Sequence, residues 1–225
     1  MNNRRTFREL TPAKKLEHIW LYYRVPIFAG CFALVLLISL VTTLSGGSDS
    51  LLDVIMVDSN ANAHTDTDAF SEFLTECGIT PYPGAVSLNT NLSFYSEEEM
   101  DQLSQTARQQ AVLDNYDKEQ MLFTLMAAGK SEVFFSQDAV FRTYADQGMF
   151  RDLSQVLPEA LLAQYEDQLL YGQEDGVAYP CGILLEKNAW LQENGYYTRC
   201  CFGLLYLSDQ PELAAQFAEY LLTHN

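Results

Sequence analysis

The chain has 225 residues and a formal charge of −17, with 30 Asp and Glu against 13 Lys and Arg. So acidic a balance excludes nucleic acid and anionic headgroups as main partners of the folded part, because both would be repelled. The length after residue 51 is that of one domain able to bury a sizeable core.

The charge is unevenly spread. Before residue 46 the chain has Arg4, Arg5, Arg8, Lys14, Lys15 and Arg24 against Glu9 and Glu17, a net +4, whereas residues 46–225 carry −21. Val25 to Leu44 is an uncharged run of 20 residues. At about 1.5 Å per helical residue it matches a hydrocarbon core of about 30 Å. A cleaved export signal has a shorter apolar stretch and a small-residue cleavage site. Phe28-Ala29-Gly30-Cys31 imitates a lipidation site, but its apolar run follows the cysteine instead of preceding it. The reading is therefore an uncleaved membrane helix over 25–45. The basic tail, 1–24, stays cytoplasmic, a short linker covers 46–51, and an extracytoplasmic domain covers 52–225.

Within that domain the periodicity alternates between strand and helix. Residues 53–57, DVIMV, form an apolar run suited to a buried strand. Phe70, Phe73, Leu74 and Cys77 then fall at helical spacing, and Gly78 supplies the stop. Residues 85–95 predict a second strand. Ser96 and Glu99 make a capping box, and a helical pattern runs on to Gly129 with a break near Asp114-Asn115. Residues 132–136 predict a third strand and 138–148 a helix. Pro158 opens a helix on PEALLAQYEDQLL. Two further strands, 176–185 and 198–207, flank a helix around Trp190. A last helix over 211–222 puts Leu213, Phe217 and Leu221 on one face. The alternation predicts an α/β fold of three layers, with one largely parallel sheet between helices.

Residues 121–158, MLFTLMAAGKSEVFFSQDAVFRTYADQGMFRDLSQVLP, are similar to the bacterial extracellular solute-binding proteins, which have the type II periplasmic-binding fold. Ala127-Ala128-Gly129, Val133 to Phe135, Tyr144 to Gly148 and Asp152-Leu153 carry the likeness. EDGVAYPCGILL at 174–185 resembles the family's DGKxYGxP strand, and 207–222 resembles its late helix. Ser131-Glu132 stands where the family usually has Pro-Asp. The family's second lobe lies between those last two segments, and here only 25 residues separate Gly182 from Leu207. The resemblance thus implies one lobe, without the partner that closes over a ligand, so the family's binding residues do not carry over.

Asp58, Asn60 and Asn62 begin a D-x-N-x-N pattern, but Ala63 and Ala69 replace the Gly and Glu that a calcium loop needs. The turn instead suits capping of the next helix. It also follows the carboxyl end of the first strand, where open α/β sheets bind ligands, so these three residues are the candidate ligand site. Cys77, Cys181, Cys200 and Cys201 permit disulfides in an oxidising compartment, with Cys181 within reach of one of the adjacent pair; buried free thiols are the other reading. Their spacing is not that of a zinc site, and the sequence implies neither a metal nor a cofactor.

Nucleophile elbows, phosphate loops and metalloprotease motifs are missing from the sequence. A Cys77–His64 pair is the weak remnant of a hydrolase reading. Trp190, Tyr196 and Tyr197 suit a core better than a sugar platform. The expected function is a non-enzymatic binding or assembly module at the cell surface, held by the bilayer through residues 25–45 and meeting another membrane or surface protein. A tethered receptor that captures a small solute for an ABC-type importer is the alternative.

Overall fold

The computed structural model describes residues 50–60, 68–174 and 176–224. The expected tail and membrane helix, and with them Asn62 and His64, lie outside the described residues. Among the described residues no helix is long and apolar enough to cross a membrane.

The first strand, β1 (Leu52–Val57), is buried at every position. Near-continuous apolarity of this kind, interrupted by Asp53 alone, belongs to a strand covered on both faces, and β1 lies inside the sheet. It pairs in parallel with β2 (Val86–Leu92) on one side and β3 (Val133–Ser136) on the other. Beyond β3 come β6 (Cys200–Leu204), β5 (Val177–Leu185) and β4 (Leu169–Glu174), giving the order β2-β1-β3-β6-β5-β4. These last three pairings are antiparallel.

The largely parallel sheet expected from the sequence is therefore a mixed one. Parallel neighbours need a crossover connection, and only the first three strands are joined to their neighbours in that way. PEALLAQYEDQLL is not one helix. It contains a single turn, α5 (Glu159–Leu162), and a 3-10 segment over Ala163–Gln168, and its last two leucines open β4. Glu174 pairs with Val177, leaving a two-residue loop whose Gly176 has φ +80°. Asp-Gly in a two-residue loop is a strong hairpin signal, and it overrides the helical reading of the leucines before it.

Helices cover both faces. On one, α1 (Ala69–Glu76), α6 (Ala189–Glu193) and α7 (Pro211–Thr223) pack against Leu52, Val54 and Met56. Phe70 is central there, with Trp190 edge-on at 5.0 Å and Phe217 stacked at 5.2 Å. On the other face, α3 (Gln105–Ala127) and α4 (Asp138–Ala145) bury Leu122, Met126, Phe141 and Tyr144 against Ile55, Val57 and Phe134. The three layers follow from the alternation of β1, whose neighbouring side chains enter opposite cores.

The capping box forms as expected. In α2 (Glu97–Asp101) the Ser96 hydroxyl accepts from Glu99 N–H at 3.2 Å, and the Glu99 carboxylate accepts from Ser96 N–H at 2.8 Å. The helix break falls at Gln102–Ser104 and not at Asp114-Asn115, because Ser104 caps α3 while Asn115 spends its amide on Tyr95 backbone. Close approach fixes one glycine: a Cβ on Gly182 would stand 2.2 Å from Phe141, whose ring stacks on Phe150 at 4.2 Å.

Candidate functional site

Chain reversal places the natural crevice of this sheet between β1 and β3, since β1 leads to β2 on one side and β2 leads back to β3 on the other. The carboxyl ends of those two strands are where such a fold receives a ligand. Asp58 and Asn60 follow β1 there. Asp58 has φ 54°, a left-handed conformation that Asp tolerates better than most residues.

The Asp58 carboxylate is turned toward β2. Its Oδ1 accepts from Phe94 N–H at 2.7 Å, and Asp58 N–H donates to the Leu92 carbonyl at 3.0 Å. Burial pushes its carboxyl pKa above the usual range, opposed by the Phe94 N–H and by Lys118. Lys118 donates to the Ser93 carbonyl and lies 5.4 Å over the Tyr95 ring. The group is a staple for the chain leaving β2. Asn60 N–H donates to Tyr196 carbonyl at 3.0 Å, tying the turn to the segment before β6. Among the described residues no group of acids, cysteines or histidines could hold a metal ion.

The crevice itself is filled from the protein. The Tyr197 hydroxyl donates to the Val57 carbonyl at 2.7 Å, with the Phe135 carbonyl a second acceptor at 3.4 Å. Its ring stacks on Phe135 at 6.1 Å. Tyr197 thus bridges the carboxyl ends of β1 and β3. Burial holds its phenol firmly protonated, well above the ordinary tyrosine range, which suits a fixed donor and not an acid-base group. Trp190 and Tyr196 are buried as well, so the aromatic trio belongs to the core and leaves no stacking platform.

The four cysteines of the domain are free thiols. Cys200 and Cys201 enter opposite cores, as adjacent strand residues must; Cys181 shares the second core with Cys201. Antiparallel register sets Cys201 opposite Leu184, three residues beyond Cys181 on β5. Burial raises the thiol pKa of Cys181 to about 11 and of Cys201 to about 12, and lifts that of Cys200 further. Cys77 is half-buried and raised by burial and by Glu76. Thiols held protonated in this way are poor nucleophiles.

Sequence reading passed over one group. Glu132, 2% exposed, stands at the amino end of β3. Its Oε2 accepts from Asp53 N–H at 2.7 Å, and the Gln210 N–H before α7 also reaches it. Burial, reinforced by nearby Asp53 and Asp209, pushes its pKa up to about 7. Glu132 opens the apolar run of β3 in the sequence, and nothing in one chain tells that Ser131-Glu132 is fully enclosed.

A cleft of about 230 Å³ opens elsewhere, lined by Phe150, Arg151, Gln155, Glu174, Tyr179 and Tyr206. Ligand pockets usually enclose about 300–1,000 Å³. Arg151, the cation in it, already donates to the carbonyls of Leu205 at 3.2 Å and Tyr206 at 3.1 Å. Fold and site together define a mixed α/β domain built on one six-stranded sheet. No family model, no curated protein and no solved structure matches the chain.

Proposed function

We propose that this chain is a single-pass, N-in membrane protein whose extracytoplasmic α/β domain works by protein contact, as a non-enzymatic binding or assembly module derived from a single solute-binding lobe. The observation that carries the reading is Tyr197 bridging Val57 and Phe135, which occupies the crevice a captured solute would need. The buried, protonated thiols and the satisfied Asp58 favour a non-catalytic role for the same ends of the strands. Anchorage through residues 25–45 rests on the length of the apolar run and on the change from +4 to −21 across it.

Two measurements test the proposal. The purified chain is heated with sugars, amino acids, short peptides and divalent ions; no class should raise its melting temperature. Reproducible stabilisation by one class would establish solute capture in its place. Protease added to intact cells should remove residues 46–225, and digestion only after lysis would reverse the orientation.

A further inference from the structure

We infer that Glu132 is a proton-operated latch on the segment from Leu205 to Gln210: with its carboxyl protonated the segment lies closed over the amino ends of β1 and β3, and ionisation lets it open. The inference is independent of whether the domain works by protein contact.

Three parts of the chain meet at this carboxyl. Glu132 stands immediately before β3 and is 2% exposed. Its Oε2 accepts from the N–H of Asp53, near the start of β1, at 2.7 Å. Gln210 N–H, at the amino end of α7, donates to the same carboxyl. The main chain of Glu132 is engaged as well, since its carbonyl accepts from Leu205 N–H at 2.9 Å. Glu132 therefore holds both ends of the segment, Leu205 by its backbone and Gln210 by its side chain. Only the second hold depends on a proton.

The segment is firm at its start and loose at its finish. Tyr206 N–H donates to the Met149 carbonyl at 2.8 Å, and Arg151 spends its guanidinium on the Leu205 and Tyr206 carbonyls. Beyond them Leu207 is 49% exposed, and the Ser208 hydroxyl is buried with no hydrogen-bond partner among the described residues. An unmet buried hydroxyl is a standing cost of the closed form, relieved when water reaches it. Gln210 opens α7 without a side-chain cap, so the Glu132 carboxyl serves that position in its place.

Charge decides when the loose end lets go. Asp53 of β1 and Asp209 of the segment are the charged groups acting on Glu132, and both are acids. Lys130, on the approach to β3, and Glu212, in the first turn of α7, are exposed. The two N–H donors favour an ionised Glu132, but burial and the two acids outweigh them. Asp53 is fixed, because β1 pairs it with Ser87 of β2. Asp209 is exposed and lies on the part that can move. Swinging Asp209 and Gln210 outward separates like charges and admits water to the carboxylate.

The direction with pH is defined. Glu132 is held at about 7 in the closed form against 4.5 for a solvated glutamate, so opening releases a proton. The opening constant is flat below pH 4.5, rises by up to about tenfold per pH unit above it, and levels off beyond about 7.

Hydrogen exchange of the purified full chain, read by mass spectrometry and divided by the intrinsic rate at each pH, tests the latch. Peptides covering Leu205 to Ala214 should lose protection by about tenfold or more between about pH 5 and pH 7, and little beyond. Low urea should leave that exchange unchanged, because a local opening exposes little surface, while peptides of β1 and β3 accelerate. Glu132→Gln should flatten the profile. Asp209→Asn, at an exposed position, should move the levelling point to lower pH. A flat profile in the parent chain would overturn the latch, as would a segment that shares the protection and urea dependence of the core. So would a profile unchanged by Glu132→Gln or, where that variant does not fold, unchanged by Asp209→Asn.

Discussion

The Tyr197 hydroxyl lies 2.7 Å from the Val57 carbonyl oxygen, joining the segment before β6 to the last residue of β1 across 140 positions of sequence. One buried phenol thereby closes the crevice between two parallel strands. Tyr197→Phe keeps the ring on Phe135 and removes the donor, so the Val57 carbonyl loses its bond in a dry place. The expected loss is about 1–2 kcal/mol, read as a lower denaturant midpoint at unchanged slope. An unchanged midpoint would mean that water already reaches the crevice.

Glu132 gives the domain a pH dependence of defined sign. Its folded pKa, about 7, stands above the ordinary glutamate value of 4.5, so the folded state holds a proton that the unfolded chain releases. That contribution is present in full below pH 4.5 and is lost as pH rises through about 7. Glu132→Gln, neutral at every pH, should flatten the fall in melting temperature across this window. Asp53 and Asp209 face the same carboxyl and contribute to its shift, so the comparison is between whole profiles of the two proteins. Parallel profiles would remove Glu132 from the account.

Gly182→Ala places a methyl group 2.2 Å from the Phe141 ring and 2.9 Å from the Phe202 carbonyl. Phe141 has no room to retreat, stacked on Phe150 at 4.2 Å. Destabilisation of about 1–3 kcal/mol is expected from overpacking. A companion Phe141→Leu should recover part of it; no recovery would place the strain in the backbone between β5 and β6.

Thiol labelling reads the cysteines directly. In the native domain a maleimide should modify Cys77 far faster than Cys181, Cys200 or Cys201, which are buried and held protonated. All four should react after unfolding without reductant. A pair that stays unlabelled until reduced would establish a disulfide, and a mobility shift between reduced and non-reduced protein would confirm it.

Much of this architecture is legible in the local pattern. β1 reads as a buried strand because five of its six residues are apolar, and α1 as a helix because Phe70, Phe73 and Leu74 share a face against Phe217 and Trp190. Ser96 and Glu99 announce their cap through bonds that span three residues. Asp58 was a sensible ligand candidate on composition alone. Its carboxylate instead serves Phe94, 36 residues away, and a contact at that separation leaves no mark in the D-x-N pattern.

The sequence by itself determined the charge step, the apolar run, the order of most elements and the two faces of β1, since each depends on residues within a few positions of one another. Only the tertiary structure decided the antiparallel half of the sheet, where a two-residue turn overrode helical leucines. It also decided the enclosure of Glu132 and the closing of the crevice by Tyr197. Burial and long-range hydrogen bonds belong to the assembled sheet, because they depend on which distant segments the strand pairing brings together.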